Sequence, residues 1–354
     1  MIEHELYMRR CIELAKLGIG DVAPNPMVGS VLVYKDKIIG EGYHQKFGES
    51  HAEVNCLKSV SEINKHFIRS STLYVSLEPC SHFGKTPPCA DLIVEQKIPH
   101  VIIGCRDSFE KVNGAGIGKL LAAGIKVEIG ILESECIMLN KRFFTFHNKK
   151  RPYIILKWAQ SQDGFIAGEN YSTTKISNIY TDKMVHKWRA QEAAILVGFN
   201  TVRNDNPQLT TRKWQGKNPV RIIIDEHLSL DENANVLDGE VETIIINRKK
   251  NLTVDNKEFY KINADKSGIE SILECLYSRQ INSLIIEGGT KTLQSFIDAG
   301  LWDEARVITN TGLLLKKGLN GPLLSNQVLH SSINIFTDRI DFYQNKKNDA
   351  LQYN

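Results

Sequence analysis

Short apolar strand segments alternate with helical segments along most of the chain, and this alternation restricts the fold more than any other feature of the sequence. Such alternation is typical of α/β proteins, in which helices cover a largely parallel sheet. In the first half the predicted strands are 28–34, 37–43, 72–77, 101–104 and 126–129, and the predicted helices are 8–15, 51–57, 89–96 and 119–123. In the second half the predicted strands are 153–156, 195–197, 220–224, 243–246, 283–286 and 305–309. We also predict a hairpin turn at Lys35-Asp36, between the first two strands.

A polar and basic segment divides the two halves. Residues 147–152 read His-Asn-Lys-Lys-Arg-Pro, and an apolar strand follows directly. A charged run of this kind is typical of a solvated linker rather than of a binding patch. We therefore predict one domain over 1–147 and a second over 148–354, which suits a chain of 354 residues.

The composition argues against several classes of protein. Hydrophobic residues make up 42% of the chain and charged residues 24%, as in ordinary globular proteins, and the small net charge of +3 gives no sign of a nucleic-acid partner. No apolar run reaches the length of a membrane span, and the first ten residues lack the apolar core of a signal peptide. The seven cysteines are odd in number and scattered, which favours reduced thiols in a cytoplasmic protein.

His51 and Glu53, followed by Pro79, Cys80 and Cys89, supply three metal ligands and one carboxylate that is not a ligand. One imidazole and two thiolates suit zinc, and three protein ligands leave a fourth position for water. Zinc lowers the pKa of such a water to about 7, and Glu53 would carry its proton to a departing amine. The same residue types form the signature of zinc nucleobase deaminases, although the two cysteines are further apart here. We therefore predict one Zn²⁺ per chain, held by His51, Cys80 and Cys89, with Glu53 as the catalytic residue.

A structural zinc site with His82 as a fourth ligand is an alternative, as are ordinary buried thiols. Both alternatives leave Glu53 without a role, so we favour the catalytic interpretation. Residues i and i+2 of a regular helix point to nearly opposite sides. We therefore expect His51 to lie at the first turn of its helix, before the backbone is fully helical.

The second half carries three segments that follow predicted strands, at 157–164, 197–207 and 284–290. In the last segment a strand ends in Glu287, Gly288 and Gly289, and a helix is predicted to begin near Thr292. Such a turn can bring a phosphate to the free N–H groups of a helix N-terminus, but a tight turn without a ligand explains a Gly-Gly pair alone more simply. The glycines at 114, 116 and 118 fit neither the dinucleotide fingerprint nor the P-loop, and we predict a loop there.

Over nearly the whole chain, these motifs resemble the bifunctional enzymes of riboflavin biosynthesis. Segments 24–29, 42–45, 51–54, 77–82 and 84–89 resemble the diaminohydroxyphosphoribosylaminopyrimidine deaminases, and the wide cysteine spacing separates these from nucleic-acid and free-cytidine deaminases. Segments 157–164, 201–207 and 287–290 are similar to the 5-amino-6-(5-phosphoribosylamino)uracil reductases, which use NADPH. The resemblance implies an α/β fold with an N-terminal cytidine-deaminase-like three-layer domain and a C-terminal dihydrofolate-reductase-like domain.

The resemblance also implies ligands for individual residues of the second domain. NADPH is expected at Ala159, Lys175, Thr201, Asp205, Gly289, Thr290, Lys291, Thr292, Leu293, Gln294 and Ser295. The substrate is expected at Thr173, Arg189, Leu209, Arg212 and Glu287, where the two arginines could bind a ribose phosphate through charge-assisted bonds. Lys175 stands where the family often has a tryptophan, so only a backbone contact is expected there.

The implied activity is deamination of 2,5-diamino-6-ribosylamino-4(3H)-pyrimidinone 5′-phosphate, followed by NADPH-dependent reduction of the ribosyl to the ribityl side chain. The expected partners are this phosphorylated pyrimidine and NADPH, without a nucleic acid or a membrane, and enzymes of this kind are often homo-oligomers. The alternative function is a deaminase of a nucleic-acid or free nucleobase with a non-catalytic second half. The unclustered lysines argue against a nucleic-acid surface, whereas Lys175 leaves a loss of reductase activity open.

Overall fold

The structure is a computed structural model that describes residues 2–81, 87–107, 114–169, 174–263 and 265–348, with side chains from His4 onwards. The chain divides into two compact units, one ending at Lys150 and one beginning at Arg151. Within the described ranges, no helix combines the length and the apolar character needed to cross a membrane.

The first unit is built on a five-stranded sheet with the strand order β2-β1-β3-β4-β5. Its strands are β1 (Gly29–Tyr34), β2 (Lys37–Tyr43), β3 (Thr72–Leu77), β4 (His100–Cys105) and β5 (Lys126–Ile129). Its helices are α1 (Ile2–Lys16), α2 (Ala52–Lys58), α3 (Cys89–Glu95), α4 (Ala115–Ala122), α5 (Glu133–Leu139) and α6 (Lys141–Lys149), with a 3-10 helix at Glu62–Ser70. Strand β1 is antiparallel to β2 and β3, whereas β3, β4 and β5 are parallel.

Both faces of this sheet are covered by helices. Successive side chains of a strand point to opposite faces, and Val31 and Val33 accordingly pack with α1, α5 and α6, whereas Leu32 packs with α2, α3 and α4. The predicted three-layer arrangement is confirmed. The predicted hairpin is confirmed as well, because Lys35 and Asp36 adopt positive φ angles of 45° and 63°, as a two-residue type I′ turn requires.

The second unit is built on a ten-stranded sheet with the order β11-β12-β10-β9-β8-β13-β6-β14-β17-β16. Its strands are β6 (Tyr153–Ser161), β7 (Phe165–Ala167), β8 (Ala194–Gly198), β9 (Val220–Ile224), β10 (Thr243–Asn247), β11 (Leu252–Val254), β12 (Lys257–Lys261), β13 (Ser283–Glu287), β14 (Glu304–Asn310), β15 (Leu319–Asn320), β16 (Gln327–Ile335) and β17 (Asp338–Asn345). Its helices are α7 (Ile179–Gln191), α8 (Phe199–Asp205), α9 (Gly268–Ser278) and α10 (Thr290–Asp298), with 3-10 helices at Asn235–Leu237 and Lys346–Asn348.

All neighbouring strands from β12 to β14 in this order are parallel. Their carboxyl ends therefore meet at one edge of the sheet, which is where open α/β sheets bind ligands. The strands are apolar on both faces: Leu284 and Ile286 belong to one core and Ile285 to the other. The predicted parallel α/β architecture of the second half is confirmed.

Two local predictions were wrong. The predicted solvated linker is not one, because α6 continues to Lys149 and Arg151 is only 6% exposed, with its guanidinium 2.6 and 2.8 Å from the two carboxylate oxygens of Asp303. The charged residues of this segment suggested a linker, although the apolar residues that precede them form the buried face of α6. The glycines at 116 and 118 lie inside α4 rather than in a loop, because tertiary contacts override the weak helix propensity of glycine.

Candidate metal centre and reductase cleft

Three side chains of the first unit form a potential metal site. The ligand atoms of His51, Cys80 and Cys89 lie within 4.8 Å of one another, with His51 Nδ1 3.5 Å from Cys80 Sγ and 3.4 Å from Cys89 Sγ. Each ligand stands where a chain segment changes its structure. His51 precedes the first residue of α2, Cys80 follows the end of β3 through Glu78 and Pro79, and Cys89 is the first residue of α3.

The position of His51 agrees with the expectation from the sequence. Its backbone is extended (φ −72°, ψ 167°), and α2 begins at the next residue. His51 therefore avoids the opposite orientation that a regular helix would impose on residues i and i+2.

The surroundings of Cys80 favour the thiolate form. Hydrogen bonding from Cys89, and then from His51, lowers the pKa of Cys80 to about 4. The backbone N–H of Cys89 also donates to Cys80 Sγ over 3.3 Å. A thiolate is the form that binds a metal, and one nitrogen with two sulfurs is a donor set that zinc prefers. The residues present therefore fit a zinc ion with three protein ligands.

Glu53 lies in the first turn of α2 and is only 3% exposed. Burial, followed by the nearby Cys80, raises the pKa of its carboxyl group. A carboxyl group with a raised pKa can accept and return a proton near neutral pH. His82, the alternative fourth ligand, lies outside the described residues.

The second unit contains a cavity of about 380 Å³ beyond the carboxyl ends of β8 and β13. The turn between β13 and α10 forms one wall, where Gly288 and Gly289 have φ angles of 92° and 73°. Thr201 lies on the opposite wall. A Cβ at Gly289 would lie 3.2 Å from Thr201 Oγ1, so a side chain at Gly289 would fill the space between this turn and Thr201. Because α10 begins at Thr290, its first N–H groups lack helical partners and can bind an anionic group. This cradle fits the phosphates of a dinucleotide.

Glu287 is the buried charge of this cleft. Arg189 holds it with Nε 2.9 Å from Oε1 and Nη2 2.7 Å from Oε2, and Lys157 Nζ lies 3.4 Å from Oε2. Burial by itself raises the pKa of Glu287, but the charges of Arg189 and Lys157 outweigh burial and lower this pKa to about 2. Glu287 is therefore a carboxylate at neutral pH.

Comparisons with known proteins agree with both sites. The sequence profile of the RibD C-terminal domain matches residues 152–318, and that of the cytidine and deoxycytidylate deaminase zinc-binding region matches residues 1–105. Riboflavin biosynthesis protein RibD of Aquifex aeolicus (strain VF5) is 38% identical over 95% of this chain and 94% of its own length. The protein of the same name from Bacillus amyloliquefaciens is 40% identical over 85% of this chain and 82% of its own length. The chain belongs to the RibD family.

A solved member of the RibD family extends the agreement to three dimensions. The crystal structure of a diaminohydroxyphosphoribosylaminopyrimidine deaminase/5-amino-6-(5-phosphoribosylamino)uracil reductase from Thermotoga maritima superposes with a TM-score of 0.89 at 37% identity, covering 97% of this chain and 99% of the other. The predicted family and fold are thereby confirmed. The alternative of a nucleobase deaminase with a non-catalytic second half gains no support.

The cavity brings together most of the residues that the RibD resemblance implies for NADPH. Its lining includes Ala159, Lys175, Thr201, Asp205, Gly289, Thr290, Lys291 and Thr292. The side chains of the three remaining residues do not line it. Leu293 is fully buried in the core, Gln294 bonds to Asp298 and Leu323, and Ser295 donates to the carbonyl of Thr292.

The residues predicted for the substrate are placed less uniformly. Glu287 lines the cavity, whereas Arg189 does not line it and is bonded to Glu287. Arg189 also donates from Nη1 to the carbonyl of Thr210 over 3.2 Å. Leu209 is 2% exposed and belongs to the core, whereas Arg212 is exposed on the surface. Thr173 lies outside the described residues.

Sequence reasoning assigned no role to three residues that the structure places at the two sites. Lys157 lines the cavity. His44 lies beside the ligand His51, with the two ring centres 5.3 Å apart, and its Nε2 lies 3.1 Å from Asn25 Nδ2. Asn25 and His44 belong to segments 24–29 and 42–45, which contribute to the family resemblance. This was the signal in the sequence that could have identified them.

Proposed function

We propose that this chain catalyses two consecutive reactions of riboflavin biosynthesis. The first is hydrolytic deamination of 2,5-diamino-6-ribosylamino-4(3H)-pyrimidinone 5′-phosphate, and the second is NADPH-dependent reduction of the ribosyl to the ribityl side chain. The observation that carries the proposal is that one chain of the RibD family combines a His-Cys-Cys group near a buried Glu53 with a cleft at the carboxyl ends of a parallel sheet. We assign deamination to residues 1–147 and reduction to residues 148–354.

In the deaminase site, His51, Cys80 and Cys89 hold the zinc ion. A zinc ion held there would supply a water of lowered pKa as the nucleophile for deamination. Glu53 takes a proton from the attacking water and gives it to a ring nitrogen, then takes the proton of the newly added hydroxyl and gives it to the amine, which leaves as ammonia. Its burial and raised pKa support this role. We assign the orientation of the pyrimidine to His44, beside His51, and to Asn25, which is bonded to His44. Burial lowers the pKa of His44, which favours its neutral ring.

In the reductase site, the turn at Gly288 and Gly289 and the first residues of α10 bind the phosphates of NADPH. When bound, NADPH would supply the hydride for reduction at C1′ of the substrate. Ala159, Thr201 and Asp205 orient the cofactor from the facing wall, and Lys175 contributes a backbone contact. Leu293, Gln294 and Ser295 lie in the body of α10 and support the wall that the Gly288-Gly289 turn forms.

Glu287 binds the ribose chain of the substrate, and Lys157 and Arg189 keep its carboxylate ionised. Both Nε and Nη2 of Arg189 are bonded to Glu287, so Arg212 is the better candidate of the two arginines for the substrate phosphate. Thr173 and Leu209 complete the proposed substrate set.

The wider setting of the enzyme is also part of the proposal. We propose a cytoplasmic enzyme that uses no nucleic-acid partner, and enzymes of this kind are often homo-oligomers. Seven cysteines without disulfide bonds support a reducing compartment, and the small net charge of +3 suits small-molecule partners.

Mass spectrometry of the diaminopyrimidine ribosylamino phosphate, incubated with zinc-loaded protein with and without NADPH, tests both reactions. We expect exchange of the amine for an oxo group in both samples and the gain of two hydrogens only with NADPH. Deamination without reduction would contradict the second activity and direct attention to Lys175. Loss of both reactions would contradict the proposed substrate.

A further inference from the structure

Glu78 has a buried carboxylate that accepts hydrogen bonds from four backbone N–H groups. Its Oε1 accepts from Gly116 and Ile117 over 3.1 and 3.2 Å, and its Oε2 accepts from Asp107 and Gly114 over 3.3 and 3.2 Å. The side chain is only 4% exposed. Two of these donors belong to the first turn of α4, where a carboxylate satisfies free N–H groups and interacts favourably with the helix dipole.

The same helix turn lies directly against the residue that follows Glu78. A Cβ on Gly116 would lie 2.0 Å from the carbonyl oxygen of Pro79, so only glycine permits this approach. The backbone N–H of Glu78 donates to the carbonyl of Cys105 over 3.0 Å. Glu78 and Pro79 are therefore held by β4 and α4 together.

Cys80 is the next residue, and it is fixed from its other side as well. Its Sγ accepts from the N–H of Cys89 over 3.3 Å, and its carbonyl accepts from Ala90 over 3.1 Å. Both bonds come from the start of α3. The start of α3 thus holds Cys80 itself, whereas the Glu78 carboxylate holds the backbone that directly precedes Cys80.

We propose that Glu78 is a positioning residue of the metal centre: its carboxylate ties α4 to the turn at Pro79 and so fixes the backbone that carries the ligand Cys80. This inference rests on the proposed zinc site and extends it to a residue outside the His51, Cys80 and Cys89 ligand group. Groups that orient a metal ligand indirectly change metal affinity by about 10- to 100-fold when they are removed.

The test compares Glu78→Gln with the wild-type protein. Both carboxylate oxygens accept N–H groups, so an amide directs its NH₂ against two donors. We expect the dissociation constant for zinc, measured by chelator competition, to rise about 10- to 100-fold. We also expect the thiolate-to-metal absorption bands of the cobalt-substituted protein to shift, while reduction of the deaminated substrate is unchanged.

Leu120→Ala is the matched control because Leu120 is fully buried on the same helix, where its side chain belongs to the apolar core. It should lower the melting temperature yet leave the cobalt spectrum unchanged. If Glu78→Gln fails to fold, Gly116→Ala provides the second variant, since its Cβ displaces α4 from Pro79, and it should shift the same bands.

Unchanged zinc affinity and an unchanged cobalt spectrum in Glu78→Gln would overturn the inference and leave the proposed function standing. An equal spectral shift in Leu120→Ala would also overturn it, because general destabilisation would then explain the effect. A wild-type protein that binds neither zinc nor cobalt would instead overturn the proposed function, and this inference with it.

Discussion

Glu53 and Glu287 show how the same side chain acquires opposite properties from its neighbours. Both are buried, and burial raises the pKa of each carboxyl group. At Glu53 burial prevails, and the pKa of its carboxyl group is raised. At Glu287 two cations reverse the effect and lower the pKa to about 2. Glu53 is thus suited to proton transfer and Glu287 to a permanent negative charge. The environment of each carboxyl group, rather than the residue type, determines this difference.

Replacement of Glu53 by Gln tests its catalytic role. The amide cannot accept a proton, so we expect deamination to fall by about 10²- to 10⁴-fold, the usual range for losing a general acid or base. Zinc content, measured by elemental mass spectrometry, should stay at one ion per chain because Glu53 is not in the ligand group. Reduction of the deaminated substrate is the internal control. A parallel loss of reduction would contradict two separate sites.

Replacement of Glu287 by Gln tests the buried charge. It leaves Arg189 and Lys157 without their partner, and breaking a buried ion pair costs about 3–5 kcal/mol. Because the folded pKa is lowered from 4.5 to about 2, the ionised group stabilises the fold above pH 4.5, and this stabilisation is lost as the pH falls towards 2. Thermal melts should therefore show a difference from wild type that shrinks over this range.

The comparison variant for that experiment is Glu41→Gln. Glu41 pairs with Arg10 at a partly exposed position, where ion pairs contribute about 0–1 kcal/mol. If both variants lower the free energy of unfolding equally at neutral pH, the buried Glu287 ion pair contributes no more to stability than the partly exposed Glu41 pair.

At the scale of elements, the turn between β13 and α10 determines the cofactor wall. Gly288 and Gly289 both adopt left-handed conformations, which residues with a Cβ rarely adopt. The turn directs the start of α10 towards Thr201 on the neighbouring helix. From the sequence alone a plain βα turn was the simpler interpretation of these glycines, because the opposite wall is formed by residues distant in the chain.

Gly289→Ala should weaken NADPH binding. A residue with a Cβ in this conformation costs about 1–2 kcal/mol, and the added atom lies 3.2 Å from Thr201 Oγ1. We expect a KM for NADPH raised about 10-fold, corresponding to about 1.4 kcal/mol, with deamination unchanged. Gly300→Ala is the matched control, because Gly300 has a similar φ of 67° after the same helix and nothing within 4 Å of the added Cβ. Equal effects of both variants on KM would argue against a cofactor wall at Gly289.

The strands of the carboxyl-terminal region illustrate the limit of sequence patterns. Strands β8, β9, β10 and β13 were predictable because they are apolar on both faces, as buried parallel strands are. In contrast, β16 is exposed along nearly its whole length, and its residues show no alternation of polar and apolar side chains. Its hairpin with β17 turns at Phe336 and Thr337, which lack the Asn-Gly or Asp-Gly pattern that indicates a two-residue turn. The pairing of β17 with β14 joins residues that are distant in the chain, which no local pattern indicates.

At the scale of the molecule, each activity belongs to a unit with its own apolar cores. The residues of each core cluster come from a single unit. Deamination and reduction therefore have independent structural supports, and the metal concerns only the first of them.

Removal of zinc by a chelator should separate the two activities. A ligand that binds only the folded state stabilises it by about 2.7 kcal/mol at a concentration 100 times its dissociation constant. We therefore expect calorimetry to show that chelation lowers one unfolding transition and leaves a second in place. Deamination should disappear and return with added zinc, whereas reduction of the deaminated substrate should persist throughout. Simultaneous loss of both activities would contradict the independence of the units.

The sequence by itself determined the α/β class, the zinc ligand set and the helix start at His51, because periodicity, turn residues and ligand types act over short stretches of chain. The family and the use of NADPH followed from the resemblance that its short motifs carry. Only the tertiary structure decided which charges are buried and paired. It placed Arg189 on Glu287, Arg151 on Asp303 and the N–H groups of α4 on Glu78, all partners distant in sequence. Burial and long-range pairing set these interactions, and neither property is encoded in any local pattern.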